Sequence, residues 1–193
     1  MNVATSAVLD NDLNTDLLFT IHGWAGNGVV DAVMKFAASA LILGSFAVLA
    51  VLCGRELMAR HFDRVVKVGA ALALALVLSR IAAEVFPEQR PFTSHADLHP
   101  LVAHDPGQSF PSDHSLAAFG IAFAVGAFLS MRWGAVLLVL ALVIGFSRVY
   151  IGVHYPGDVA GSALIAAMAV AAVVLISRTA PFARFSPMGV SHA

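Results

Sequence analysis

Long apolar stretches dominate the pattern of hydrophobic and polar positions along this chain. A helix that crosses a bilayer needs roughly 20 mostly apolar residues, and five stretches approach that length. They lie at about residues 34–54, 65–86, 113–131, 133–152 and 157–177. All are rich in Ala, Val and Leu with scattered Gly, a composition that suits close helix packing in lipid. The pattern predicts an all-α, polytopic membrane helix bundle with about five transmembrane helices.

A shorter amphipathic stretch precedes the first span. Its apolar residues fall near one face of a helix, and they are Leu13, Leu17, Leu18, Ile21 and Trp24. Asp12 or Asn14 is placed to cap the start of that helix. The stretch predicts a short helix that lies in the outer membrane interface. A disordered tail that touches the bilayer is the alternative.

Composition narrows the class of protein. Hydrophobic residues make up 59% of the chain and charged residues 12%, against roughly 25% charged in an average soluble domain. The chain has one cysteine, Cys53, so it forms no internal disulfide, and its net charge of −1 gives no basic surface for nucleic acid. We therefore expect a single membrane-embedded domain over residues 1–193, surrounded by membrane lipids and without a nucleic-acid partner. Its oligomeric state stays open.

The distribution of basic residues predicts how the spans are oriented. Seven of the eleven Lys and Arg residues fall on the side of the membrane that holds the link between the first two predicted spans: Arg55, Arg60, Arg64, Lys67, Arg132, Arg178 and Arg184. The first 31 residues, by contrast, contain four aspartates, Asp10 among them, and no Lys or Arg. The positive-inside rule makes the basic side cytoplasmic. The N-terminus is then outside the membrane and the C-terminus inside.

Polar residues gather at the outer ends of the predicted spans. They come from a loop at 87–111, called the outer loop below, from the start of the third span, from the end of the fourth and from the turn into the fifth. The residues are Arg90, His95, His99, His104, Ser112, Asp113, His114, Arg148, His154 and Asp158. Up-and-down threading brings these remote segments to one membrane face. Ionisable groups that converge in a membrane protein indicate a functional site.

The residue types favour phosphoryl chemistry. His154 and Asp158 are four residues apart, which brings them together on a helical turn, and a carboxylate beside an imidazole fixes its tautomer and raises its basicity. Ser112 is placed to cap the third span, whose N-terminus offers an anion site, and His114 in its first turn can give a proton to a leaving oxygen. Taken singly, these features also fit capped helices and a snorkelling arginine. Together, two arginines and a helix N-terminus fit a phosphate group, while one histidine attacks it and another protonates the leaving group.

Three motifs resemble those of the type-2 phosphatidic acid phosphatase superfamily, which are Lys-x6-Arg-Pro, Pro-Ser-Gly-His and Ser-Arg-x5-His-x3-Asp. The third is complete, from Ser147-Arg148 through His154 to Asp158. The second reads Pro111-Ser112-Asp113-His114, with Asp in the Gly position, and the first keeps Arg90-Pro91 but has Ala83 in place of the lysine. Within the superfamily the chain is most similar to the bacitracin-resistance type of undecaprenyl pyrophosphate phosphatases. The variant second motif, the small size, Ser109-Phe110 and the run 18–22 carry that likeness.

The resemblance implies a role for each motif residue. It implies that His154 is the nucleophile and forms a phosphohistidine, that Asp158 orients it, and that His114 is the acid. Arg90, Arg148, Ser112 and the backbone of Asp113 would bind phosphate, with no metal or other cofactor. The implied substrate is undecaprenyl diphosphate, hydrolysed to the monophosphate and phosphate at the outer face of a bacterial plasma membrane to recycle the cell-wall lipid carrier. Phosphatidic acid or phosphatidylglycerophosphate is the alternative substrate.

Several features remain open on the sequence alone. Arg80 either replaces the missing lysine or pairs with Glu84 one turn away. The histidines of the outer loop (His95, His99 and His104) fit a zinc site, contacts to the substrate headgroup or a solvated loop. A small transporter or channel with intramembrane charges, or a purely structural membrane partner, is the rival class. The inverted repeats and broken helices that are common in transporters are not evident in the sequence, and a structural partner would leave the three motifs unexplained.

Overall fold

The computed structural model describes residues 12–179 of the chain. Within that range the chain forms eight helices: α1 (Asp12–His22), α2 (Gly28–Ser39), α3 (Leu41–Met58), α4 (Phe62–Val85), α5 (Pro91–Ser94), α6 (Asp113–Phe128), α7 (Met131–Tyr150) and α8 (Pro156–Arg178). Asp10 and Arg184, which entered the predicted charge distribution, lie outside the described residues, as does the side chain of Asp12.

The predicted all-α membrane bundle is confirmed. Four of the described helices (α3, α4, α7 and α8) are long and apolar enough to cross a membrane, and α6 is an apolar helix of 16 residues. At 1.5 Å per residue α6 is about 24 Å long, less than the roughly 30 Å of a hydrocarbon core. It packs against α3, α4, α7 and α8, which surround it. Protein rather than lipid therefore covers most of its surface.

Small residues let α7 approach α6 closely. Gly126 of α6 faces Gly134 of α7, and a Cβ added at Gly134 would lie 2.7 Å from the backbone nitrogen of Gly126 and 3.1 Å from the carbonyl oxygen of Ala122. Such contacts between glycines replace side-chain packing where two membrane helices cross. The crossing fixes the ends of α6 and α7 that lie next to the link between them, while their opposite ends carry the polar residues.

The first predicted span, 34–54, is divided in the structure. α2 ends at Ser39 and α3 begins at Leu41, with Ala40 between the two helices. The break contains neither Gly nor Pro, so the apolar pattern runs through it without a signal. α2 begins after Asn27, whose side chain accepts the N–H groups of Val29 and Val30, and it packs against α7. The break leaves carbonyl groups at the end of α2 without a helical partner.

The predicted N-terminal helix is present as α1. Leu18 on its apolar face is fully buried, whereas Leu13 and Trp24 are exposed. Asn14 does not cap the helix, because it lies inside it, and its buried side chain instead accepts the N–H of Gly157 at 2.8 Å. α1 therefore packs against α7 and the start of α8.

The α6–α7 crossing leads to a stability prediction. Gly134→Ala should lower the melting temperature of the detergent-purified protein, because the added methyl group meets backbone atoms that cannot move independently. The expected cost is about 1–3 kcal/mol, as for other overpacked cores. Gly69→Ala in α4 is the matched control, since no atom lies within 4 Å of a Cβ built there. Equal melting temperatures for the two variants would contradict the close crossing.

Candidate active site

The turn between α7 and α8 positions His154. Gly152 has a φ of +80°, a conformation that glycine adopts without a steric cost. Its N–H donates to the carbonyl of Val149 at 2.9 Å, and the N–H of Val153 donates to the carbonyl of Arg148 at 3.2 Å. These two bonds form a Schellman motif, which ends α7 and reverses the chain. α8 then begins at Pro156, as its sequence predicts.

His154 and Asp158 form the buried pair that their spacing predicts. Nδ1 of His154 lies 3.2 Å from Oδ2 of Asp158, and the two side chains are 3% and 0% exposed. Because an ionised carboxylate only accepts hydrogen bonds, Nδ1 carries the ring proton and Nε2 carries the lone pair. Nε2 in turn lies 3.2 Å from Nη1 of Arg90, which can only donate. The unprotonated nitrogen thus faces the side chain that the sequence assigns to phosphate binding.

Burial, helped by two nearby cations, favours the neutral form of the His154 ring. Burial lowers the pKa of the His154 imidazole, and the nearby guanidinium groups of Arg148 and Arg90 act in the same direction, whereas Asp158 opposes them. Burial likewise lowers the pKa of Arg90, and Asp158 and Asp113 oppose that shift. Arginine starts so far above neutral pH that Arg90 stays charged. The site therefore pairs a neutral nucleophile with cationic anion ligands.

Ser109 supports Asp158, a contact that the sequence alone did not predict. Its hydroxyl donates to Oδ2 of Asp158 at 2.5 Å, and the N–H of Tyr155 donates to the same oxygen at 2.9 Å. Ser109 is fully buried. The only sequence signal for it is its position three residues before Ser112 in the second motif. Oδ2 of Asp158 thus accepts bonds from the outer loop, the start of α8 and the His154 ring.

Arg148 is held by two groups far away in sequence. Nη1 donates to the carbonyl of Ala38, in the last turn of α2, at 3.1 Å, and Nη2 donates to Nε2 of His104 at 2.9 Å. A cation at a helix C-terminus is stabilised by the partial negative charge of the free carbonyls. The break after Ser39 is what places that helix end beside Arg148.

Two buried donors on the arginines of the site have no hydrogen-bond partner among residues 12–179. Nε of Arg90 and Nε of Arg148 are buried, and no group within residues 12–179 accepts a hydrogen bond from either. A buried N–H without a partner is costly. A phosphate bound between the two guanidinium groups would provide acceptors for both, which supports the predicted role of these arginines.

The start of α6 lies at the same end of the bundle. Ser112 is its N-cap, as predicted, with its Oγ 3.5 Å from the N–H of Ser115. The hydroxyl of Ser162 in α8 donates to the carbonyl of Ser112 at 3.1 Å, which ties the start of α6 to α8. Asp113 is exposed, and the half-buried His114 lies within electrostatic range of Arg148 and His154. The structure therefore brings all seven predicted site residues to one end of the bundle.

The histidines of the outer loop separate rather than converge. The His95 ring contacts the rings of Phe19 and Tyr155, with centroids 5.3 and 6.2 Å away, His99 is exposed, and His104 contacts Arg148. Among the described residues, no group of three or more His, Cys, Asp or Glu side chains is arranged to hold a metal ion. These positions do not fit the zinc hypothesis.

Arg80 does not form the predicted ion pair with Glu84. Arg80 and Glu84 are both exposed on α4, and no ion pair joins them in the described part of the chain. At the position of the missing lysine, the carbonyl of Ala83 accepts a hydrogen bond from the Gln108 side chain at 3.2 Å. That contact ties the outer loop to α4.

Comparison with known proteins identifies the family. The family model of the PAP2 superfamily matches residues 64–181. Undecaprenyl-diphosphatase BcrC of Bacillus subtilis is 34% identical over 157 residues, which are 80% of this chain and 79% of that protein. The putative undecaprenyl-diphosphatase YbjG of Escherichia coli is 40% identical over 100 residues, or 52% of this chain and 50% of the relative.

Solved structures share the fold. LpxE of Aquifex aeolicus superposes with a TM-score of 0.72 at 29% identity, over 87% of this chain and 98% of that one. A transmembrane phosphatidylglycerolphosphate phosphatase of Bacillus subtilis superposes with a TM-score of 0.60 over 96% of this chain and 94% of that one. At 21% identity the second likeness concerns the fold alone. The helical bundle, the buried His154–Asp158 pair and these relatives define an integral membrane phosphatase. The chain belongs to the PAP2 superfamily.

The contact between Ser109 and Asp158 leads to a prediction about catalysis. Ser109→Ala should lower kcat about tenfold and leave KM nearly unchanged, because a hydrogen bond to a charged group that orients His154 is lost while no substrate contact is removed. Ser109→Thr keeps a hydroxyl and should recover most of the rate. Ser79→Ala removes an equally buried serine that bonds only its own helix, and it should have no effect. A raised KM with normal kcat would contradict a positioning role.

Proposed function

We propose that this chain hydrolyses undecaprenyl diphosphate to undecaprenyl monophosphate and phosphate through a phosphohistidine intermediate. The observation that carries the proposal is the His154 ring, whose proton is held on Nδ1 by Asp158 and whose free Nε2 faces Arg90. The name of the Bacillus subtilis relative, which matches 80% of this chain, supports the same substrate class. The reaction recycles a lipid carrier of cell-wall synthesis.

Binding begins with an exchange of hydrogen bonds. The terminal phosphate lies between Arg90 and Arg148 and accepts from their unpaired Nε groups. Free N–H groups at the start of α6, those of Asp113 and His114, complete the cradle. Nη1 of Arg90 leaves Nε2 of His154 for a phosphate oxygen, so the nucleophile is released as the phosphate arrives.

The chemistry then proceeds in two steps. Nε2 of His154 attacks phosphorus, the bond to the bridging oxygen breaks, and His114, which is protonated beside the bound anion, gives a proton to the departing monophosphate. Asp158 stabilises the positive charge that forms on the His154 ring. Water next attacks the phosphohistidine and loses its proton to His114, which releases phosphate and restores the enzyme. Each proton is accounted for within the two histidines and water.

Leaving-group chemistry favours a diphosphate. A phosphate monoester, whose second pKa is about 6, leaves with little help. A monoester substrate such as phosphatidic acid must instead expel an alkoxide, which needs a full proton from His114. The acid of this site, His114, is half-buried, and the diphosphate reaction depends less on its proton than the monoester reaction does. The site therefore suits the diphosphate.

Orientation is also part of the proposal. Five of the described basic residues, Arg55, Arg60, Arg64, Lys67 and Arg132, lie in or beside the links between α3 and α4 and between α6 and α7. The candidate site lies at the opposite ends of these helices. The positive-inside rule then places the site on the outer face of a bacterial plasma membrane, with the N-terminus outside.

Substrate preference tests the proposed activity. Purified protein should release phosphate from undecaprenyl diphosphate with a higher kcat/KM than from phosphatidic acid in the same detergent. His154→Ala should release none from either lipid. His114→Ala should harm the monoester reaction more, because the alkoxide depends more on the proton.

One outcome would replace the proposal. If phosphatidic acid or phosphatidylglycerophosphate is the better substrate by about tenfold or more, a difference of roughly 1.4 kcal/mol in transition-state stabilisation, the lipid phosphatase alternative holds instead. Matched detergent is essential, because unequal micelle partitioning of the lipids changes the apparent KM.

Cysteine labelling tests the orientation. In a Cys53→Ala background, a cysteine introduced at the exposed Gln108 should react with an impermeant thiol reagent on intact cells or spheroplasts. A cysteine at the exposed Met131, in the link between α6 and α7, should react only after lysis. The reverse pattern would place the site on the cytoplasmic side.

A further inference from the structure

His104 connects the outer loop to the buried side chain of Arg148. Its Nε2 lies 2.9 Å from Nη2 of Arg148. Arg148 is 4% exposed, whereas His104 is exposed. The imidazole therefore lies between solvent and the guanidinium group, at a position where an oxygen of a bound phosphate would accept from Nη2. His104 belongs to none of the three motifs.

The contact also fixes the state of the imidazole. A guanidinium only donates hydrogen bonds, so Nε2 of His104 accepts and Nδ1 carries the ring proton. Although His104 is exposed as a residue, partial desolvation of its ring and the charges of Arg90, Arg148 and His154 together lower the pKa of His104 to about 4, while Asp105 opposes the shift. The half-buried His114 also faces this group. The ring is thus a neutral acceptor as long as the arginines lack an anion.

We propose that His104 is a specificity-determining residue for diphosphates. It releases Nη2 of Arg148 when the terminal phosphate binds to that nitrogen, and its ring then binds the second phosphate of the diphosphate. This inference rests on the proposed function, because it requires a substrate with two linked phosphates. Once a phosphate oxygen takes its place on Nη2, the ring lies beside an anion, and a neighbouring negative charge favours the protonated form. A protonated ring offers two N–H donors. A monoester has no second phosphate to accept them.

Binding of two inorganic probes separates this role from a merely structural one. Calorimetry would measure the Kd of inorganic pyrophosphate and of inorganic phosphate in a His154→Ala background, which prevents turnover. Adding His104→Ala should weaken pyrophosphate binding about tenfold or more, the loss expected for a hydrogen bond between charged groups, and should change phosphate binding by less than about threefold. His99→Ala, an exposed histidine of the same loop, is the matched control and should change neither.

A second variant addresses folding and charge. His104→Gln keeps an acceptor for Nη2 of Arg148 but cannot take up a proton, so it should keep the normal melting temperature and still lose the preference for pyrophosphate. Equal weakening of both probes by His104→Ala, or full pyrophosphate selectivity in His104→Gln, would overturn the proposal. If selectivity depends on His104 but the wild-type enzyme prefers a lipid monoester, the substrate assignment fails and the His104 site stands. If the enzyme prefers undecaprenyl diphosphate and His104 has no selective effect, only the His104 site fails.

Discussion

One buried carboxylate oxygen, Oδ2 of Asp158, organises the candidate site. It accepts bonds from the N–H of Tyr155, the hydroxyl of Ser109 and Nδ1 of His154. Burying a charge costs several kcal/mol unless hydrogen bonds compensate for it, and these three bonds offset part of the cost of burying the carboxylate. The same bonds cap α8, attach the outer loop to the bundle and fix the tautomer of the nucleophile. Stability and reactivity thus depend on the same atoms.

A second constraint acts on the arginines. Arg148 is buried among protein groups, and its charge is compensated by the Ala38 carbonyl at the end of α2 and by the neutral ring of His104. Neither partner is a carboxylate, so the guanidinium group keeps most of its positive field for an incoming anion. A carboxylate at either position would neutralise Arg148 and compete with phosphate. The divided first span therefore has a functional consequence, since it provides that carbonyl.

The sequence predicted the parts of this structure that depend on local pattern. Spacing alone paired His154 with Asp158, and Ser112 and Pro156 marked the starts of α6 and α8 correctly. The break at Ala40 was missed because neither Gly nor Pro marks the end of α2 there. The roles of Asn14 and Ser109 were missed for a related reason, since each bonds a residue that is distant in sequence. Periodicity and spacing carry no information about such pairs.

The central claim is that Nε2 of His154 attacks the terminal phosphate, and rapid quenching tests it most directly. Enzyme mixed with undecaprenyl diphosphate that is radiolabelled in its terminal phosphate should be quenched in base during the first turnover and digested. The account predicts a transient label on His154 that is stable in base and lost in acid, and that is absent from His154→Ala. Full turnover without any protein-bound label, or a label on another residue, would contradict it.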